Sequence, residues 1–337
     1  MGGKTNIKFG VIGTGKITGQ VLEGAALDAR FELAAVYSRS MEGAKIFAGK
    51  YGVSGVFTDF EAMSACIDAV YIASPNALHK EQAMYFLKKG IHVLCEKPLC
   101  SNAYEARQLI EASQKYRAVF MEAMVATLNP NFLALINHLP KIGTLRKYFA
   151  SFCQYSSKYD RFKQGIIENT FKNELSNGAL VDIGVYTIYP MVVLFGKPKS
   201  VQASGFILPS GVDGAGSAIF GYDGMDAVVS YSKVSNSSAF AEIQGEEGSL
   251  ILDRINIPRQ LFFKPRNGAQ QDLSAAHCGN DYYYEIREFI NLIETQTMEH
   301  KVNSHEHSLT VMELMDEIRR QIGLEYPADK MYAGNLF

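Results

Sequence analysis

Short apolar runs alternate with amphipathic stretches over the first 123 residues. The apolar runs predict strands at residues 7–12, 31–37, 56–57, 69–73, 91–95 and 118–122. Between them, apolar residues recur with a helical period and predict helices over residues 16–28, 41–51, 60–64, 77–89 and 102–115. Strands with few polar positions that alternate with helices are typical of a parallel sheet covered on both faces. The pattern therefore predicts a doubly wound α/β domain over residues 1–123.

A different pattern begins after Ala123. Helices are predicted over residues 131–139 and 178–195, and two amphipathic helices over residues 282–294 and 304–322. The remaining apolar stretches are short, are separated by turn residues, and predict strands at 145–155, 200–208, 217–222, 227–232, 239–244, 249–253 and 260–263. Hairpin turns are expected at Tyr222-Asp223-Gly224 and Glu246-Glu247-Gly248. Residues 124–337 are thus expected to form a second, mostly antiparallel domain with C-terminal helices.

Composition and charge exclude several classes of function. The 337 residues are 47% apolar and 20% charged, with a net charge of −2, which gives no electrostatic basis for binding nucleic acid or an anionic membrane. No signal-peptide core or membrane-spanning run is evident, so a cytoplasmic location is expected. Five scattered cysteines are expected to stay free thiols. His305-Glu306-His307 places its histidines only two apart, so no metal site is expected.

The first predicted strand is followed by Gly13-Thr14-Gly15-Lys16-Ile17, which opens the first helix. The first glycine permits a tight turn, and the second lets the backbone approach a pyrophosphate at the helix N-terminus. Thr18 occupies the position where a third glycine is usual. The strand–turn–helix context predicts that residues 13–17 bind a dinucleotide.

The second predicted strand is followed by Ser38-Arg39-Ser40. An acidic residue at this point would bind the ribose hydroxyls of NAD, whereas a guanidinium flanked by hydroxyls suits the 2′-phosphate of NADP. Ser38 and Arg39 therefore favour NADP over NAD. The alternative is that Arg39 is only a solvated loop residue.

Ser74-Pro75-Asn76 ends the fourth strand at the edge of the sheet where ligands bind in open α/β folds. These three residues and His79, one turn further on, are candidate cofactor contacts. Asn76 is also a natural helix cap, and His79 is equally consistent with a structural role.

Glu96-Lys97-Pro98 follows the fifth strand, beside the expected place of a nicotinamide. Hydride transfer requires a group that moves a proton to or from the substrate oxygen, and a partly buried lysine near a cation can do this. Burial and a nearby cation lower the pKa of a lysine, and Glu96 would oppose that lowering or orient the Lys97 side chain. Pro98 fixes the direction of the backbone. The alternative is an ion pair on the surface.

Together these motifs resemble the glucose–fructose oxidoreductase/inositol dehydrogenase (Gfo/Idh/MocA) family. The resemblance continues through residues 178–186 (GALVDIGVY), 242–249 (EIQGEEGS) and 312–319 (MELMDEIR) and covers nearly the whole chain. It implies a Rossmann domain followed by an α/β domain with a large open sheet, often used for dimerisation. A homodimer or homotetramer is therefore expected.

The resemblance also assigns roles to individual residues. It implies that Lys97 is the catalytic acid/base and that Asp182 and Tyr186 complete the site. Many members have histidine at the position of Tyr186. A tyrosine there is usual in the branch that contains dimeric dihydrodiol dehydrogenase, which this chain therefore resembles. Asn173 and Tyr159 are candidate contacts to substrate hydroxyls. The chain departs from the family pattern at Thr18, at Asn177, and at Leu128-Asn129-Pro130.

These observations predict an NADP-dependent oxidoreductase, with NAD as the alternative cofactor. It would pass a hydride between nicotinamide and a hydroxyl-bearing carbon of a sugar, polyol or cyclic diol, with Lys97 handling the proton. One alternative is a glycosidase of the same family that uses NAD transiently. Another is a regulator that senses a dinucleotide without catalysis. Retention of Lys97 and the absence of a basic segment argue against the regulator.

Overall fold

A computed structural model describes residues 6–331. The expectation that the chain has no signal peptide concerns an N-terminal stretch that lies mostly outside the described residues. The first sheet has six parallel strands, which are β1 Ile7–Ile12, β2 Phe31–Tyr37, β3 Val56–Phe57, β4 Ala69–Ile72, β5 His92–Glu96 and β6 Phe120–Ala123. Their spatial order is β3-β2-β1-β4-β5-β6. The chain changes direction across the sheet between β1 and β4, which makes the carboxyl edge there a ligand crevice.

Helices connect these strands as the pattern predicts. They are α1 Lys16–Ala25, α2 Met41–Gly49, α3 Phe60–Ser64, α4 His79–Lys88 and α5 Ala103–Tyr116. Asp59 begins α3, because its carboxylate accepts a hydrogen bond from the backbone N–H of Ala62 at 2.9 Å. Asn76, the candidate cap of the next helix, starts a short 3₁₀ turn, Asn76–Leu78, that leads into α4.

The second sheet has eight strands, in the order β14-β13-β12-β11-β7-β10-β9-β8. The strands are β7 Leu145–Cys153, β8 Ser200–Ile207, β9 Asp213–Tyr222, β10 Met225–Ser232, β11 Ala241–Gly245, β12 Gly248–Leu252, β13 Leu261–Pro265 and β14 Gln271–Asp272. All neighbours pair antiparallel except β7 and β10, which are parallel. The predicted fold class is confirmed: a parallel doubly wound sheet and a larger, mostly antiparallel one.

The remaining helices are α6 Val125–Leu128, α7 Pro130–His138, α8 Tyr159–Lys163, α9 Val185–Phe195, α10 Tyr282–Thr295, α11 His305–Ile322 and α12 Pro327–Met331. The predicted helix over 178–195 is not uniform. Residues Leu180–Gly184 are wound as a π-helix, and α9 continues from Val185. A π-helical segment inside a helix is frequent at functional sites.

Residues 173–195 are long and apolar enough, by composition alone, to cross a membrane, which the sequence-based expectation overlooked. In the structure, 72% of their most apolar window is buried inside the protein. This segment is therefore a core helix of the second sheet's unit.

The chain divides into two compact units whose bounds differ from the expected ranges 1–123 and 124–337, which stay a prediction. Residues 278–305, which include α10, pack into the first unit, and residues 101–104 belong to the second. Gly24 on α1 allows the close packing of α10, since a Cβ there would lie 2.7 Å from the backbone nitrogen of Tyr283. Arg30 also bonds Asn291 and Glu294 at 2.9 and 2.7 Å. Contacts between residues this distant in sequence leave no mark on a local hydrophobic pattern.

Candidate active site

The turn after β1 is shaped for a dinucleotide. Gly13 has φ +103°, and a Cβ there would lie 2.4 Å from the carbonyl oxygen of Ala73, so only glycine fits. Gly15 precedes α1, no side chain caps its N-terminus, and a Cβ on Gly15 would meet nothing within 4 Å. Exposed backbone N–H groups beside open space suit a pyrophosphate. The residues present therefore fit the dinucleotide that the sequence predicts.

Thr18 occupies the position where the dinucleotide-binding turn usually has its third glycine. The side chain is fully buried, and its hydroxyl has no hydrogen-bond partner among residues 6–331. A buried hydroxyl without a partner costs free energy, so α1 is docked less favourably than with a small residue. The threonine does not interrupt α1, which is continuous from Lys16 to Ala25.

The loop after β2 presents a cation. Arg39 is exposed, and its guanidinium has no ion-pair or hydrogen-bond partner within the described part of the chain. Ser40 caps α2 by accepting a hydrogen bond from the N–H of Gly43 at 3.3 Å, and the Ser38 hydroxyl accepts one from the N–H of Ser40 at 3.4 Å. The capped turn fixes the backbone around Arg39, so its donors are available to an anion at this edge of the sheet.

His79 joins the loops that follow β4 and β5. It is fully buried, and its ring nitrogens lie 2.9 Å from the carbonyl oxygen of Ser74 and 3.0 Å from that of Pro98. Burial lowers the pKa of the imidazole, and its hydrogen bonds to the backbone act in the opposite direction. Because none of its surface is exposed, the geometry favours the structural alternative. His79 holds the Ser74-Pro75-Asn76 turn against the one that carries Lys97.

Lys97 stands directly after β5, and its side chain is partly exposed. The Lys97–Pro98 peptide bond is cis. The neighbouring Glu96 is buried, and its carboxylate accepts a hydrogen bond from the Tyr71 hydroxyl at 2.5 Å. Glu96 therefore anchors the end of the strand to β4 while the next residue reaches partial solvent exposure.

A second buried carboxyl faces Glu96. Glu285 on α10 has no exposed surface, and neither of its oxygens has a hydrogen-bond partner among the described residues. Burial, and then the charge of Glu96, raise the pKa of Glu285 well above its ordinary value. The pKa of Tyr71, which bonds Glu96, is raised by burial and then by both carboxyls. Folding therefore favours the neutral, protonated form of Glu285.

Replacing this acid should stabilise the protein at high pH. A raised folded-state pKa means that the stability Glu285 contributes is complete below the unfolded pKa of about 4.3 and is lost as pH rises through the folded pKa. Glu285→Gln, an isostere of the neutral acid, avoids that loss. The gain in Tm should grow from pH 5 to pH 9, at about 2–4 °C per kcal/mol. Exposed Glu81→Gln is the control, and an equal Tm difference at every pH would contradict the assignment.

In the second unit, Asp182 and Tyr186 emerge from a buried helix. Asp182 lies in the π-helical segment and Tyr186 in the first turn of α9. Between Gly178 and Val192, these are the only two residues that are not buried. The Tyr186 ring packs edge-on against Phe152, with ring centroids 5.6 Å apart. The pair therefore presents a carboxylate and a phenol, four residues apart and both partly exposed.

Sequence reasoning missed two residues that support Asp182. The buried Lys233 ammonium donates hydrogen bonds to Asp182 Oδ2 and to the Thr170 hydroxyl. Asp213 accepts a hydrogen bond from the backbone N–H of Leu180 at 2.7 Å, and burial raises its pKa to about 6. A Cβ on Gly178 would lie 2.0 Å from Asp213 Oδ1, which explains the glycine that opens the GALVDIGVY motif.

The two predicted substrate contacts have structural roles as well. The Asn173 side-chain nitrogen donates to the carbonyl oxygens of Gly211 and Glu325 at 2.8 and 2.9 Å. Tyr159 stacks on Phe162 and packs on Phe171, with ring centroids 5.7 and 5.8 Å apart. Contact of either residue with a substrate stays a prediction. Among residues 6–331, no three His, Cys, Asp or Glu side chains are grouped as metal ligands.

The two other departures from the family pattern are occupied by polar residues that stabilise local structure. Asn177 donates to the carbonyl oxygen of Asn169 at 3.0 Å. Asn129 caps α7, since its side-chain oxygen accepts from the N–H of Asn131 at 2.9 Å.

Comparison with known proteins places both units. A family model described as "Oxidoreductase family, NAD-binding Rossmann fold" matches residues 7–124. A second, described as "GFO/IDH/MocA C-terminal domain", matches residues 140–251.

Individual relatives match over nearly the full length. The scyllo-inositol 2-dehydrogenase (NADP(+)) IolU of Bacillus subtilis is 50% identical over 96% of this chain and 99% of its own. A trans-1,2-dihydrobenzene-1,2-diol dehydrogenase of Xenopus tropicalis is 28% identical over 95% and 99%. A crystal structure of a 3-ketoreductase from Actinomadura kijaniata with NADP and TDP-benzene is 25% identical, covers 94% of this chain and 98% of its own, and superposes with a TM-score of 0.82.

Proposed function

Since the chain belongs to the Gfo/Idh/MocA family of oxidoreductases, we propose that it is an NADP-dependent dehydrogenase of a cyclic polyol, with scyllo-inositol as the first substrate to test. The carrying observation is the 50% identity to a scyllo-inositol 2-dehydrogenase over 96% of the chain. Hydroxyl-rich substrates also suit the partly exposed carboxylate and phenol of Asp182 and Tyr186, which can accept and donate hydrogen bonds.

The cofactor proposal is supported by the loop after β2. Arg39 has the planar donor set that a 2′-phosphate requires and has no partner of its own among the described residues. The Gly13–Gly15 turn leaves space at the N-terminus of α1 for the pyrophosphate. When bound, the nicotinamide supplies hydride acceptance and return.

The chain's own residues then divide the remaining work. Lys97 takes the proton from the substrate hydroxyl as the carbon is oxidised and returns it in the reverse direction. Asp182 accepts hydrogen bonds from neighbouring hydroxyls, and Tyr186 donates one. Glu96 and His79 hold the backbone on either side of Lys97 through Tyr71, Ser74 and Pro98.

A substrate screen tests this proposal. Purified protein is mixed with NADP or NAD and with inositol isomers, aldoses, acyclic polyols or trans-diols, and NADPH or NADH absorbance is followed. Stoichiometric NADP reduction with an inositol is expected. Glycoside cleavage without net cofactor turnover would identify the glycosidase alternative, and cofactor binding without any turnover would identify the regulator.

The protein is also proposed to form a homodimer, or a dimer of dimers, through the second sheet. One face of the sheet is buried, whereas the other carries a row of partly exposed apolar residues. Neighbouring strands place this row in register, interrupted only by Glu242, in the order Ile219, Val228, Phe149, Ile251 and Phe262. Ile219 is 48% exposed, and Phe206 on β8 is 49% exposed. An apolar open sheet face of this extent calls for a cover.

Charge on this row should dissociate the assembly. Val228→Lys lies between Ile219 and Phe149 in the row, where a buried lysine without a partner would be costly. Light scattering at micromolar concentration is expected to show a dimer or tetramer for the wild type and a monomer for Val228→Lys. Asp223→Lys, on the hairpin turn, is the control. A monomeric wild type would rule the interface out.

A further inference from the structure

Lys233 is a buried cation that the roles proposed so far leave unexplained. It follows β10 directly, and its side chain is only 3% exposed. The ammonium bonds Asp182 Oδ2 and Thr170 Oγ1 and lies 5.5 Å from the centroid of the Phe171 ring. Burying an ammonium is costly unless partners compensate for the lost water, so Lys233 is fixed in this position by the groups around it.

The partner of this cation is only half covered. The Asp182 side chain is 38% exposed, compared with 3% for Lys233. One end of the ion pair is therefore embedded in the protein while the other reaches the surface beside Tyr186. An exposed aspartate alone samples several rotamers, whereas a charge-assisted hydrogen bond from a rigid donor holds one of them.

The segment that carries Asp182 is held from the other side as well. Asp213 is fully buried and fastens the start of the π-helical segment through the Leu180 N–H. Lys233 also acts electrostatically on Asp213. The ammonium thus acts on two carboxylates, one at the surface and one in the core, and both bear on the same short segment.

We propose that Lys233 is a positioning residue of the substrate site, holding Asp182 in the one orientation in which its carboxylate receives a polyol hydroxyl. The inference rests on the proposed function, because it takes Asp182 as a substrate contact. It adds a residue to which the family resemblance gave no role. Lys233 acts on the substrate only through Asp182.

The proposal predicts a loss specific to the polyol. Lys233→Met keeps the length of the side chain and packs against Phe171 but removes the donor. With saturating NADP, kcat/KM for the polyol should fall roughly 10- to 100-fold. Most of the loss should be a higher KM for the polyol, while KM for NADP changes by less than about two-fold. Lys197→Met breaks an exposed ion pair with Glu313 and should change neither value.

A double-mutant cycle tests whether the effect passes through Asp182. In an Asp182→Asn background, Lys233→Met should lower kcat/KM for the polyol by less than about a further three-fold. This double variant also lacks the unpaired charge that could prevent Lys233→Met from folding. Equal losses in both backgrounds, or a Lys233→Met enzyme within three-fold of the wild type, would overturn the proposal.

A crystal structure of Lys233→Met separates this inference from the proposed function. The Asp182 carboxylate should leave its wild-type position, whatever the substrate is. An unmoved Asp182 would overturn the positioning role even if the enzyme oxidises inositol. A wild type that is inactive with every polyol, together with a displaced Asp182, would instead count against the proposed function alone.

Discussion

Lys97→Met is expected to lower kcat by about two to four powers of ten, because it removes the group that exchanges a proton with the substrate oxygen. Methionine keeps the length of the side chain and suits its partly buried place after β5. The fold around it is held by other residues, since His79 bonds the Pro98 carbonyl and Tyr71 bonds Glu96. The defect should therefore be in chemistry and not in folding.

Two measurements separate these possibilities. NADPH binding, followed by fluorescence, should change far less than kcat, and Tm should stay within a few degrees of the wild type. Lys88→Met, at the exposed end of α4, is the matched control and should retain full activity. A Lys97→Met enzyme within a few-fold of the wild-type kcat would remove Lys97 from the catalytic role.

The strands of the first sheet could be predicted from the sequence alone. The predicted bounds of β1, β2 and β3 coincide with the observed strands residue for residue. Strands buried on both faces appear as continuous apolar runs, and the glycine turn that follows β1 has a steric requirement that only glycine meets. The candidate residues on this edge could be named because they lie at or soon after the ends of predicted strands.

The support of the site could not be predicted in this way. Lys233 lies 51 positions from Asp182 in the sequence, and Asp213 lies 33 from Leu180. Glu285 looks like one more polar position of an amphipathic helix, yet it is fully buried beside Glu96. Such contacts arise from tertiary packing between distant segments. A local hydrophobic pattern therefore does not reveal them.

The segment around Asp182 lies between these cases. The family resemblance named Asp182 and Tyr186, and both side chains are partly exposed, but their part in the site stays a prediction. The π-helical winding of Leu180–Gly184 was not predicted, because it involves no unusual residue in that stretch. Gly178 gives a physical reason for local irregularity, since the Asp213 carboxylate occupies the space of its missing side chain.

Cofactor choice is the second property on which a large change is expected. Arg39 is exposed and has no partner among residues 6–331, so a bound 2′-phosphate would gain a charge-assisted hydrogen bond without displacing an existing one. Such a bond is worth about 1.5–3 kcal/mol, or roughly ten- to a hundred-fold in affinity. The wild type should bind NADPH more tightly than NADH by about that factor.

Arg39→Asp should reverse this preference. The carboxylate repels a 2′-phosphate and can accept hydrogen bonds from the two ribose hydroxyls of NAD. Titration of both proteins with NADPH and NADH by fluorescence measures the ratio directly. Lys45→Asp on α2 makes the same change of charge away from the strand end and should leave the ratio nearly unchanged. If Arg39 merely stacks on the adenine, it contributes equally to the binding of both cofactors. Equal affinities of the wild type for NADPH and NADH, or an unaltered affinity ratio in Arg39→Asp, would establish that role. Either result would contradict recognition of the 2′-phosphate by Arg39.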